Sequence, residues 1–332
     1  MKPKHLLYFI VFIILFSCKK EERYIPTVKV SVIETGLDEQ FTAMSFASPN
    51  LGIITTSKGK VLKSTNQGAT WDVTILDATE TESFQTLATP TNQSIYITGE
   101  NLGFIRSLDG GNTYSTGMPF YNFKSMSFIN DSVGFGAKSS SLYKTTDRGN
   151  NFTLVSYYSF TNFFGDATIK FLNDTLGFAN DFDHVYRTTD GGLTFDEKTY
   201  FLAVSTMKFV SSTTGYALGS ISGNTGLFKT TNAGETWQHI YSGSNSDGED
   251  YPIIDFDING DVICGVGYYS IMISKDGGNN FTNHFNQNGE TVFVDFKKVR
   301  HVGNNKFIAT GTKLGSTGTQ EIKGNIYTIQ IP

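Results

Sequence analysis

Residues 188–195 read TTDGGLTF, and five other stretches repeat the pattern: STNQGATW from Ser64, SLDGGNTY from Ser107, TTDRGNNF from Thr145, TTNAGETW from Thr230 and SKDGGNNF from Ser274. Their starts are 43, 38, 43, 42 and 44 residues apart. A fixed period in this range, with strand-like sequence between the copies, marks a toroidal or solenoidal repeat array. The third position is Asp or Asn (Asn66, Asp109, Asp147, Asp190, Asn232, Asp276), a side chain that accepts backbone N–H bonds and holds a tight turn. The fifth is always Gly, which points to a backbone site with positive φ. The eighth is aromatic, suited to burial against a neighbouring unit.

Between the turns each unit supplies more strand-like pieces. The first is apolar: AMSF (43–46), QTLAT (85–89), SMSF (125–128), TIKF (168–171), TMKF (206–209), IIDF (253–256) and FVDF (293–296). A second follows a polar turn, as in VGFGA (133–137), and a third runs into the repeated turn, as in HVYRT (184–188). A fourth begins at the turn's aromatic residue. Four short antiparallel strands per unit make a propeller blade. After the sixth turn a further unit begins at Phe293, but the chain stops before a turn or fourth strand. Residues 27–33 alternate, with Val28, Val30 and Val32 on one side, and can supply that strand beside 326–331. The expectation is an all-β, seven-bladed propeller whose ring is closed by the N-terminal strand, leaving no exposed edge to template aggregation.

Aromatic residues reach 14% and the formal net charge is -5, with no long basic run, which argues against nucleic acid as a partner. Lys2, Lys4 and His5 precede an apolar run over 6–16 that is shorter than the roughly 20 residues of a membrane span. Leu15-Phe16-Ser17-Cys18 resembles the lipobox of bacterial lipoproteins. The resemblance implies a signal peptide over 1–17, lipidation at Cys18, a tether over 18–26 and a propeller over 27–332. The tether's KKEE (19–22) also resembles a surface-export signal. Cys264, the other cysteine, then has no partner and reads as a core thiol.

The turns resemble the Asp-box of the bacterial neuraminidase repeat. The approach to each, such as the stretch 224–237, is most similar to repeat proteins of the photosystem II stability/assembly factor type, over about residues 27–332. The wider Asp-box group includes sialidases, xyloglucan-type glycoside hydrolases and sortilin-like receptors, so the resemblance implies architecture more than activity. A sialidase needs three converging arginines. Of the five here, Arg23 lies in the tether, Arg148 inside a turn, and Arg106 and Arg187 just before separate turns; the fifth is Arg300. An inverting glycosidase needs two carboxyl groups across a cleft. Asp255 and Asp295 are the candidates, read as occupying one innermost-strand position that holds Ser45, Ala88, Ser127, Lys170 and Lys208 elsewhere. The alternative is a wet, ion-paired shaft. Asp166 and Asp257 are weaker candidates. The five His residues adjoin no ligand-spaced partners, so no metal or other cofactor is implied.

Binding surfaces are easier to place. Loop 155–166 carries Tyr157, Tyr158, Phe160, Phe163 and Phe164, and loop 118–123 carries Phe120, Tyr121 and Phe123. Aromatic clusters suit sugar stacking or a protein hot spot, or else plug gaps between blades. Loop 243–251, with Asp247, Glu249 and Asp250, offers a cation site or a solvated acidic loop. Lys63, Arg106, Lys144, Arg187 and Lys229 recur just before the turns and form a basic ring on the other rim. The expected function is a lipid-anchored binding or assembly scaffold of the bacterial envelope, at the outer membrane or cell surface, with a protein or glycan as partner. Its alternatives are a carbohydrate-active enzyme using the shaft carboxylates and a glycan-binding surface lipoprotein.

Overall fold

The computed structural model describes residues 28–118, 120–157, 168–180, 184–200, 202–221, 224–242, 252–284, 294–314 and 320–332. The expected signal peptide, Cys18 and the tether lie outside these, as do Tyr158, Phe160, Phe163, Phe164, Asp166 and loop 243–251. Seven four-stranded antiparallel sheets make up the fold. Blade 1 spans 41–75, blade 2 84–118, blade 3 125–157, blade 4 168–200, blade 5 202–241 and blade 6 253–283. Blade 7 takes three strands from 294–330 and its outermost from Lys29–Glu34. That strand pairs antiparallel with the C-terminal one, Val30 opposite Ile329 and Val32 opposite Tyr327. The side carrying Val30 and Val32 faces solvent, while Ile33 packs inward on the seam with blade 1.

Burial explains why the middle strands read as apolar runs rather than alternating ones. Leu51–Thr56, Ile95–Gly99 and Ser270–Ser274 are buried on both faces, because each blade is covered by its two neighbours. Outer strands such as Asp72–Ile75 are exposed throughout. Among the described residues the buried side chains form seven clusters, each shared by two consecutive blades, including one that joins blade 7 to blade 1. Ring closure is therefore itself a hydrophobic interface, built from Met44, Ile54 and Leu62 against Val302, Ile308 and Ile326. Cys264 is buried in the blade 6–blade 7 cluster, and burial pushes its thiol well above the usual range, which suits an inert packing group.

Candidate functional site

The six turns share one bonding scheme. The first residue's hydroxyl donates to the Asp or Asn and accepts the N–H of the fifth-position Gly, as in Thr188 to Asp190 (2.8 Å) and Gly192 to Thr188 (2.8 Å). The carboxylate then accepts the N–H and side chain of the seventh residue, Thr194 at 3.0 and 2.6 Å in this copy. These bonds hold Asp190 and Asp276 at about 2, and Asp109 and Asp147 below the ordinary carboxyl value of 3.8. The fifth-position glycines all have positive φ, and at Gly192 a Cβ would also sit 2.3 Å from Leu142 of blade 3. The fourth position is left-handed too, including the non-glycine Gln67, Arg148 and Ala233. Its N–H is aimed at a carbonyl of the same blade's inner loop in all six copies, for instance Ala233 to Thr213 at 2.8 Å.

The basic ring has a structural task at this rim. Each of its side chains reaches across a seam to the following blade. Lys63 Nζ donates to Asn112 (2.8 Å), and Arg106 to the Arg148 carbonyl (2.8 Å) and Asn150 (2.6 Å). Lys144 lies 3.3 Å from Asp174, Arg187 2.7 Å from Glu235, and Lys229 donates to the Gly277 carbonyl at 3.2 Å. Blade 6 has Ile273 at the equivalent position, and the blade that follows it carries no turn to receive a cation.

The shaft differs from its expected layout. Pairing across each blade aligns Lys229, Tyr216 and Lys208 in blade 5. The same count gives Ile273, Cys264 and Asp257 in blade 6, and Thr328, Ile308 and Arg300 in blade 7. The position that holds Ser45, Ala88, Ser127, Lys170 and Lys208 is therefore filled by Asp257 and Arg300, not by Asp255 and Asp295. The cause is loop length. Blade 6 turns tightly at Gly260, so its inner strand, Ile253–Asn259, runs further before the hairpin than Thr168–Phe171 does. In blade 7 the inner strand is eight residues long and bulged between Phe296 and Lys298.

Both proposed catalytic carboxylates have structural partners. Asp255, fully buried, accepts bonds from the Val299 N–H (2.9 Å), Arg300 (2.6 Å) and Thr206 (3.2 Å). Burial pushes its carboxyl up, but the charges of Arg300, Lys208 and Lys298 outweigh this and hold it below the ordinary value. Asp295, also buried, is bonded to Lys297 at 2.7 Å. Asp257 holds Lys208 (2.7 Å) and the His301 N–H (2.8 Å). In blade 3, Ser125 and Ser127 perform the same stitch, accepting the N–H groups of Ile169 (3.0 Å) and Phe171 (2.8 Å). The blade 6 carboxylates thus stand where a hydroxyl serves elsewhere, tying one inner strand to the next. Arg300, whose place the sequence left open, is the centre of the shaft's charge. Among the described residues no group of three His, Cys, Asp or Glu side chains is placed to hold a metal ion.

The aromatic face divides. Phe123 is fully buried and Tyr121 is half-buried against it, with ring centroids 5.6 Å apart, so these two plug the blade 2–blade 3 seam. Phe120 and Tyr157 are 62% and 76% exposed. They meet one corner of blade 3: Lys138 lies 4.4 Å over the Phe120 ring, and Ser141, opposite Lys138 in the hairpin, is also opposite Tyr157.

No family model and no curated protein matches the chain. Solved structures do. YCF48 bound to a D1 peptide is 14% identical with a TM-score of 0.68, over 91% of this chain and 97% of that one. YCF48 from Cyanidioschyzon merolae is 17% identical with a TM-score of 0.67, over 91% and 98%. The Niastella koreensis GH74 enzyme is 14% identical with a TM-score of 0.59, over 88% of this chain and 61% of that one. At these identities the likeness establishes the seven-bladed propeller architecture and leaves activity to the site itself.

Proposed function

We propose that this protein is a non-enzymatic binding scaffold of the bacterial cell envelope, with Asp-box turns and a lipid anchor at Cys18, placed at the outer membrane or cell surface. It recognises a protein partner through the blade 3 corner. The observation that carries this reading is the exposure of Phe120 and Tyr157 at one corner of blade 3, where the neighbouring Tyr121 and Phe123 fill a seam. Exposed rings beside a cation suit a binding hot spot. The shaft carboxylates, by contrast, are occupied by Arg300, Lys208 and Lys297 and by backbone N–H groups, an arrangement suited to holding strands rather than moving protons. That a structural neighbour is seen with a peptide bound supports a protein partner over a glycan.

The test is capture from envelope extract on the immobilised full-length protein, with a glycan array run in parallel. Wild type is expected to retain specific proteins that Phe120→Ala/Tyr157→Ala loses. Glycan binding with no protein captured would favour the surface-lectin reading instead. Metabolic labelling with a fatty-acid analogue should mark wild type and not Cys18→Ser; equal labelling of both would remove the anchor from the proposal.

A further inference from the structure

The charges in the shaft do not balance locally. A cavity of about 210 Å³ is lined by Lys170 of blade 4, Lys208 of blade 5 and Lys298 and Arg300 of blade 7. The carboxylates nearest this group, Asp255 and Asp257, are committed to Arg300 and Lys208 at 2.6 and 2.7 Å. Among the described residues, Lys170 and Lys298 have no carboxylate within ion-pair distance. Arg300 spends one guanidinium nitrogen on Asp255 and the Val299 carbonyl, which leaves donors uncommitted. The rest of the wall is neutral, with Thr168, Asn180 and Thr206 bonded within the fold.

We propose that this cavity is a binding site for a compact oxyanion, a small molecule bearing carboxylate or phosphate groups, gripped by Lys170, Lys298 and Arg300. Lys170 of blade 4 converges with Lys298 and Arg300 of blade 7 at a cavity whose four cations meet only two nearby carboxylates, Asp255 and Asp257, and a half-buried ammonium without an ion-pair partner is costly unless a ligand neutralises it. Access is built in. Lys298 also lines a cavity of about 410 Å³ with Gln40 and Thr42, and Lys170 lines one of about 310 Å³ with Asn173 and Ser211. The two lysines thus stand between the anion cavity and the spaces on either side of it. The shaft's other half supports the assignment: blades 1–3 place Ser45, Ala88 and Ser127 at the level where blades 4–7 place Lys170, Lys208, Asp257 and Arg300. A ligand would therefore be held against one wall. This inference does not depend on the partner assigned to the blade 3 corner.

The experiment is isothermal titration of the full-length protein in detergent at low ionic strength, with inorganic phosphate and with citrate in separate runs. At least one should bind with one-to-one stoichiometry, and which one does so identifies the anion's chemistry. Lys170→Met and Lys298→Met should each weaken binding by at least about tenfold, the scale of one charge-assisted hydrogen bond. Lys63→Met, at the rim, should bind as wild type does. Thermal unfolding of each variant verifies that lost binding is not lost fold. Absence of binding by either anion to wild type would overturn the proposal, as would unchanged binding by both shaft variants.

Discussion

Two sets of cations run around this propeller, and they do opposite things. At the rim, Lys63, Arg106, Lys144, Arg187 and Lys229 each find an acceptor on the next blade within 3.3 Å. In the shaft, Lys208 and Arg300 are paired, while Lys170 and Lys298 face a cavity lined by two further cations. The rim set recurs through blades 1–5, each of which is joined in the same way to a following blade that carries the repeated turn. The shaft set is confined to blades 4–7 and follows no repeat. Chemistry that recurs with the period belongs to the architecture, and chemistry that breaks the period is where a ligand can be sought.

The largest effect should come from breaking ring closure. Deleting residues 28–34 removes the outer strand of blade 7 and uncovers the Gln320–Gln330 strand; a loss of cooperative unfolding and a gain in aggregation are expected, by calorimetry and light scattering. Next comes Asp255→Ala, which strands Arg300 and the Val299 N–H in the shaft and should cost about 3–5 kcal/mol by urea unfolding. A catalytic carboxylate that merely lined the shaft would be removable at little cost. Ser274→Ala, which takes away the acceptor for the Gly278 N–H and a donor to Asp276, should cost about 1–2 kcal/mol.

The turns also predict an acid limb. The Asp carboxyls at Asp109, Asp147, Asp190 and Asp276 are held below their unfolded value, so the stability they contribute is present above pH 3.8 and is lost as pH falls below it, through about 2 for Asp190 and Asp276. Because these groups are exposed, the slope should be shallow. The turns built on Asn66 and Asn232 should not contribute, so Asp190→Asn should flatten the limb measured by urea midpoints between pH 5 and pH 2.

Much of the architecture was legible in the sequence. The turn spacing gave the blades, and the missing seventh turn gave the closure, because a short period-locked motif is read locally. The shaft was less legible. IIDF (253–256) and TMKF (206–209) both place a charged residue just before a Phe, and only the shorter hairpin at Gly260 reveals that Asp257, not Asp255, is Lys208's equivalent. The basic ring was visible, but its purpose was not, since each cation's partner lies one blade away, as with Arg187 and Glu235 48 residues on. The left-handed fourth turn position was only half-signalled: Gly110, Gly191 and Gly277 mark it, while Gln67, Arg148 and Ala233 conceal it. Aromatic content alone could not distinguish exposed Phe120 from buried Phe123 three residues later.

The contrast between the two sets of cations can be tested in one measurement: thermal unfolding, in anion-poor buffer, of Arg187→Met beside Lys170→Met. Arg187 bridges to Glu235, so its loss should lower the midpoint slightly. Burial and Arg300 hold Lys170 below the ordinary lysine value of 10.5, so its charge opposes folding at neutral pH. Replacing it should raise the midpoint by about 2 °C, the equivalent of about 1 kcal/mol in a chain of this size. A midpoint that falls in Lys170→Met as it does in Arg187→Met would make the shaft lysine one more strut of the fold and contradict the account.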